Sequence, residues 1–112
     1  MPGVCKNQRY QKTESEVLLV RVDVSDMLRD GDTVSAISST TITPSGELTA
    51  GSVAASGGAL EINGVSVASG EAITFTASAG EADETYEVKI LFTTTAGATL
   101  QVEGIVIVVR AD

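Results

Sequence analysis

Two apolar alternations near the C-terminal end set the frame for the chain. Tyr86, Val88, Ile90 and Phe92 recur at every second position, with Glu87, Lys89 and Thr93 among the residues between them. A period of two marks a half-buried strand. Leu100, Val102, Val106 and Val108 line one face of a second strand, and the pair reads as an antiparallel hairpin. Register selects its turn, because directly opposed residues share a face. A two-residue Ala96-Gly97 loop would set Phe92 against Gln101 and mix the faces. A three-residue loop, Thr95-Ala96-Gly97, pairs Thr94 with Ala98, Phe92 with Leu100 and Ile90 with Val102. It also sets Lys89 opposite Glu103 and puts Gly97 where such a loop needs a left-handed residue. Past Gly104 every residue from Ile105 to Val109 is apolar. With Val106 and Val108 taken as inward, Ile105, Ile107 and Val109 form an outer stripe, which is a candidate contact surface.

Upstream, Leu18, Val20, Val22 and Val24 alternate with Arg21 and Asp23. Val17 and Leu19 on the outer side predict that the start of this strand is covered too. Ser25 to Gly31 reads as one helical turn, capped by Ser25 and ended by Gly31, with Met27 and Leu28 plugging the core. Thr33–Thr43 is a strand with Val34, Ala36 and Ile42 inward, and Pro44-Ser45-Gly46-Glu47 is a turn by composition. Leu48 and Val53 mark short, weak strand positions. Asn63-Gly64 is a strong two-residue hairpin signal joining Ala59–Ile62 to Val65–Ala68. Glu71–Ala77 carries Ile73 and Phe75, and residues 79–84 form a corner leading into the last hairpin. About seven short strands separated by turn signals predict an all-β sandwich over residues 16–112. Residues 1–15 are polar without alternation and read as an extended N-terminal arm, anchored at most by Tyr10.

Charge refines this picture. The net charge is −8, which argues against nucleic acid or an anionic membrane as the partner of the domain as a whole. The arm is the exception, carrying Lys6, Arg9 and Lys12 and no acid. A basic arm on an acidic body suits docking onto an acidic neighbour; a solvated polar tail accounts for it equally. The interface candidates are therefore Lys6, Arg9, Tyr10 and Lys12 in the arm, with Ile105, Ile107 and Val109 in the last strand.

Catalytic groups are scarce. The chain has no His, so a Ser-His-Asp triad, a Cys-His pair and a histidine metal site cannot be built. Its one cysteine, Cys5, allows no intrachain disulfide. Gly57-Gly58 lacks the lysine of a phosphate loop. Asp26, Asp30 and Asp32 lie close together but lack the spacing and the bidentate Glu of a calcium loop, so turn chemistry explains them better. The pairs Asp83-Glu84 and Asp30/Asp32 sit in turns. Two Tyr, two Phe and no Trp offer few platforms for a sugar. Neither an enzyme nor a cofactor is expected. No apolar run reaches signal-peptide or transmembrane length, so synthesis in the cytoplasm is expected.

Asp83-Glu84-Thr85-Tyr86-Glu87-Val88 resembles the corner before strand F of an immunoglobulin-like sandwich, with Tyr86 at the place of the corner tyrosine. Cysteine at Val88 and a core Trp are missing, so the antibody subtype does not fit. The order of the whole chain is more telling. Val22–Ser25 with Leu28, then Gly31-Asp32-Thr33-Val34, a Ser/Gly-rich middle, then Tyr86-x-Val88 and Thr93-Thr94-x-x-Gly97 are similar to the small fiber-tail adaptor proteins of tailed phages. The resemblance covers residues 16–110. It implies an Ig-like, non-enzymatic virion protein, present in several copies in a symmetric assembly and joining a tail or neck protein to a fiber protein. A capsid decoration or cement protein is the alternative, and a receptor- or carbohydrate-binding module is another.

Overall fold

The computed structural model describes residues 4–29, 31–43, 47–62 and 64–111, with the backbone alone over 4–7. Among these residues lie nine strands: β1 Val4–Thr13, β2 Leu18–Asp23, β3 Val34–Thr43, β4 Leu48–Ala55, β5 Leu60–Ile62, β6 Val65–Val67, β7 Ala72–Ala79, β8 Thr85–Thr94 and β9 Thr99–Arg110. The chain is an all-β sandwich. One sheet has the order β1-β9-β8-β3 and the other β2-β7-β4, while β5 and β6 form a separate hairpin.

The β8–β9 hairpin adopts the register that its alternation predicts. Phe92 pairs with Leu100 and Ile90 with Val102. The Thr94 N–H donates to Ala98 O at 2.9 Å, which closes a three-residue loop, and Gly97 has φ +94°. Tyr86, Val88, Ile90 and Phe92 all point inward and are buried. Across the sandwich they meet Val20 and Val22 of β2, Ile73 and Phe75 of β7, and Leu48 of β4. All but Leu48 are alternating apolar positions, so hydrophobic burial against the facing sheet explains the pattern.

Past Val102 the expected phase fails. Register slips between Val88 and Ile90, so that Lys89 alone faces both Glu103 and Gly104. This is a β-bulge: the extra residue re-aims everything after it. Gly104 takes φ +79° there, and its N–H donates to Glu87 Oε2 at 3.2 Å. Ile105, Ile107 and Val109 therefore turn into the core and are completely buried, while Val106 faces outward. The expected outer stripe at 105, 107 and 109 is core.

Similar slips explain smaller departures. In β3 two bulges, at Val34/Ala36 and Ile37/Ser39, leave Ala36 exposed and put Ile37 against the core in its place. In β4 a bulge at Gly51/Ala54, with Ser52 at φ 53°, lets one eight-residue strand form where only scattered positions were expected. The turn after β2 is a single 3-10 turn, Ser25–Met27. Ser25 does not cap it. Asp23 Oδ1 instead accepts from the Ser25 N–H at 2.9 Å and from Ser25 Oγ at 2.6 Å. The 59–68 hairpin forms as β5 and β6, although Asn63 of its turn lies outside the described residues, as do Pro44, Ser45 and Gly46.

The first strand is the largest addition to the expected architecture. Residues 4–13, expected as an arm, pair in parallel with β9 as the edge of the larger sheet. The inward positions of β1 are Gln8, Tyr10 and Lys12, opposite Ile105, Ile107 and Val109. No apolar alternation announces such a strand, because its backbone makes the ladder and its inward side chains are polar or amphipathic.

The corner before β8 is held as the sequence suggests. Tyr86 is buried, and its hydroxyl accepts from the Glu81 N–H at 3.0 Å, five residues upstream. That contact, with β3, β8 and β9 in one sheet and β2, β7 and β4 in the other, is consistent with an immunoglobulin-like arrangement.

Candidate interface

Burial divides the seven interface candidates. Ile105, Ile107 and Val109 are inside, for the reason given by the bulge. Lys12 is also inside, its stem against Val109 and its amine turned to the end of the sandwich. Lys12 Nζ donates to Thr13 O at 2.7 Å, to Ala79 O and, more weakly, to Glu14 O at 3.4 Å. It thus ties the β1–β2 turn to the corner after β7, where a free docking cation was expected. Tyr10 is half-buried against the core, and its hydroxyl donates to Arg21 O at 3.3 Å. Burial of the ring pushes the Tyr10 phenol up from its usual value. Arg9 remains exposed on the outer face of β1, and the side chain of Lys6 lies outside the described residues.

What the outer face of the larger sheet offers instead is a shallow cleft of about 480 Å³ over the bulge. Arg9, Thr85, Glu87, Gly104 and Val106 contribute to it. Gln8 borders the same cleft, with its Oε1 buried and without a hydrogen-bond partner among the described residues. Arg9 and Glu87 give this cleft both charges, and Val106 gives it an apolar floor. Val106 could not be found from the sequence without knowing that Gly104 is a bulge.

At one end of the sandwich, Asp32 organises the β8–β9 turn. Its Oδ1 accepts from the Thr33 N–H at 2.9 Å and from the Ala96 N–H at 3.0 Å. Burial works to raise this carboxyl, but hydrogen bonds from the Thr94 hydroxyl and from the Ala96 and Thr33 amides, with the charge of Arg29, outweigh it. The net result holds Asp32 below the usual carboxylate value. Asp32 is thus a structural acid. Asp30 lies outside the described residues.

A family model described as podophage GP4 fiber-tail adaptor protein gp77 matches residues 12–107. The chain belongs to this fiber-tail adaptor family. The matched stretch runs from Lys12 into β9, so it takes in β2 to β8, the Asp32 turn and the bulge at Gly104. No curated protein matches the chain. The family assignment agrees with the resemblance carried by Val22–Ser25, Gly31–Val34 and the Tyr86-x-Val88 strand.

Proposed function

We propose that the chain is a non-enzymatic component of a podophage particle that joins the tail or neck to the fibers through protein–protein contacts alone. The family match across residues 12–107 carries this reading. The architecture supports it: a sandwich 43 Å long, cross-tied at its ends by Lys12 and Asp32, is a stiff spacer with separate surfaces at its faces. Several copies set around the tail would repeat these surfaces with the symmetry of the assembly. The carbohydrate-binding alternative is disfavoured because Phe75, Phe92 and Tyr86 are in the core and Tyr10 is packed against it. Synthesis in the host cytoplasm followed by incorporation into the virion completes the proposal.

The test is a phage in which this gene is silenced. Particles are expected to assemble heads and tails but to lack attached fibers, with restoration when the chain is supplied in trans. Particles that keep their fibers but shed head proteins would overturn the adaptor reading and support the capsid-cement alternative.

A further inference from the structure

The outer face of the smaller sheet is covered at one end and bare at the other. At the covered end the β5–β6 hairpin lies over it, with Ile62 and Val67 packed on Ala72, which points outward from β7. Toward the other end the same face shows Leu19 beside Thr76, and Thr76 beside Gly51, with Thr49 opposite Ser78. Small residues surround Leu19 on this shelf, and the exposed Arg21, two positions along β2 and beside Thr74, shares its face. Leu19 is 52% exposed, and Val17, two residues earlier, is 67% exposed. The hairpin edge closes the shelf on one side: Leu19 and Ile62 border one cleft, and Val65, opposite Ile62, is 57% exposed. Val17, Leu19 and Val65 are the exposed large apolar side chains among the described residues, and Val17 and Leu19 stand two residues apart at the start of β2. The sequence pattern at Val17 and Leu19 already called for a cover, and none of the described residues supplies it.

Beyond Val17 the shelf runs into an acidic end of the molecule. The Glu14 N–H donates to Arg110 O, and the Asp83 N–H donates to Val109 O, so the β1–β2 turn and the corner after β7 meet at the end of β9. The Gly80 N–H donates to Glu47 O, which brings in the start of β4. Glu14, Glu16, Glu47, Glu81, Asp83 and Glu84 are all at least partly exposed there. Among the described residues Arg110 is the one exposed cation at that end, since Lys12 is buried.

Resting on the adaptor reading, we propose that this shelf docks a segment of another virion protein whose apolar side chains cover Val17 and Leu19 and whose Lys or Arg residues face the acidic end. An exposed apolar patch on a soluble domain marks a contact site, and the charge beside it selects the partner. A second copy of this chain fits poorly, because it brings the same acidic end and a net charge of −8. Both exposed positions accept substitution without touching the core, so binding can be separated from folding.

The experiment places a photo-crosslinking benzoylphenylalanine at position 19 of the full chain, in assembled particles, and identifies the crosslinked peptide by mass spectrometry. The expected product is a peptide of a different virion protein with Lys or Arg beside the crosslinked residue. Alongside it, Leu19→Lys should melt like the parent protein and enter particles at least tenfold less often, while Leu19→Met enters normally. Glu14→Lys combined with Glu81→Lys should likewise melt no lower and enter less often. A crosslink to a second copy, a peptide without basic residues, or normal entry of Leu19→Lys would overturn the shelf proposal while leaving the adaptor reading intact. Absence of the parent chain from particles would overturn both.

Discussion

Gly104 decides which side chains of the last strand enter the core. A left-handed residue inserted at one point exchanges Val106 and Val108 for Ile105, Ile107 and Val109 on the inner face. The two faces therefore differ sharply in what truncation should cost. Ile107→Ala empties a completely buried site and is expected to destabilise the isolated domain by about 2–5 kcal/mol in urea unfolding. Val106→Ala on the outer face should cost well under half as much; equal losses would mean that the bulge is misplaced. Asp32 makes a second residue-level prediction. Its folded-state carboxyl lies below the ordinary value of 3.8, so its stabilising contribution is complete above that pH and is lost as pH falls through the lower folded-state value. Protection of the Ala96 amide, measured against its intrinsic exchange rate at each pH, should fall over that acid window in the parent protein. In Asp32→Asn that protection should be lower at neutral pH and insensitive to the same acidification.

Elements differ in how plainly the sequence announces them. β2, β7 and β8 are legible because each alternates without interruption and one face is buried: Val20 and Val22, Ile73 and Phe75, Val88 and Ile90. The β8–β9 turn is legible because only one loop length keeps Phe92 and Leu100 on one face. β3 and β4 blur because their bulges break the period and their outward residues are Ser, Thr and Ala. β1 is hidden for a different reason. It is an edge strand whose inward positions are Gln8, Tyr10 and Lys12, so pairing to β9 is a backbone affair that side-chain polarity does not report. Four of the interface candidates are buried for the same two causes: the unseen bulge for Ile105, Ile107 and Val109, and the unseen strand for Lys12. The hydrogen bonds of Lys12 now give this strand a measurable tie. Lys12→Ala, which leaves the Ala79 and Thr13 carbonyls without that donor, is expected to cost on the order of 1.5–3 kcal/mol. Proton exchange should show β1 amides protected in the isolated parent protein and frayed in the variant; an unprotected β1 in the parent would return residues 4–13 to the status of an arm.

At the scale of the whole molecule, charge opposes compactness. A net charge of −8 on 112 residues, with six acids crowded at one end, repels itself in the folded state more than in the expanded one. Raising ionic strength from about 0.01 M to about 0.15 M shortens the screening length from roughly 30 Å to roughly 8 Å. The melting temperature should rise over that range, and Glu81→Lys should raise it further at low salt than at high salt. A melting temperature indifferent to salt would show that the acidic end is already neutralised within the chain.

The parallel pairing of β1 with β9 has a mechanical consequence. β1 begins beside Val102 and runs toward Arg110, alongside the strand that closes the fold. Tension that draws the start of β1 one way and the end of β9 the other slides the two strands along each other. The ladder bonds from Gln8 to Thr13 are then strained together, whereas a hairpin pulled from its open end would unzip rung by rung. A tether built this way yields in a single high-force event, and single-molecule pulling between those two points would read it directly.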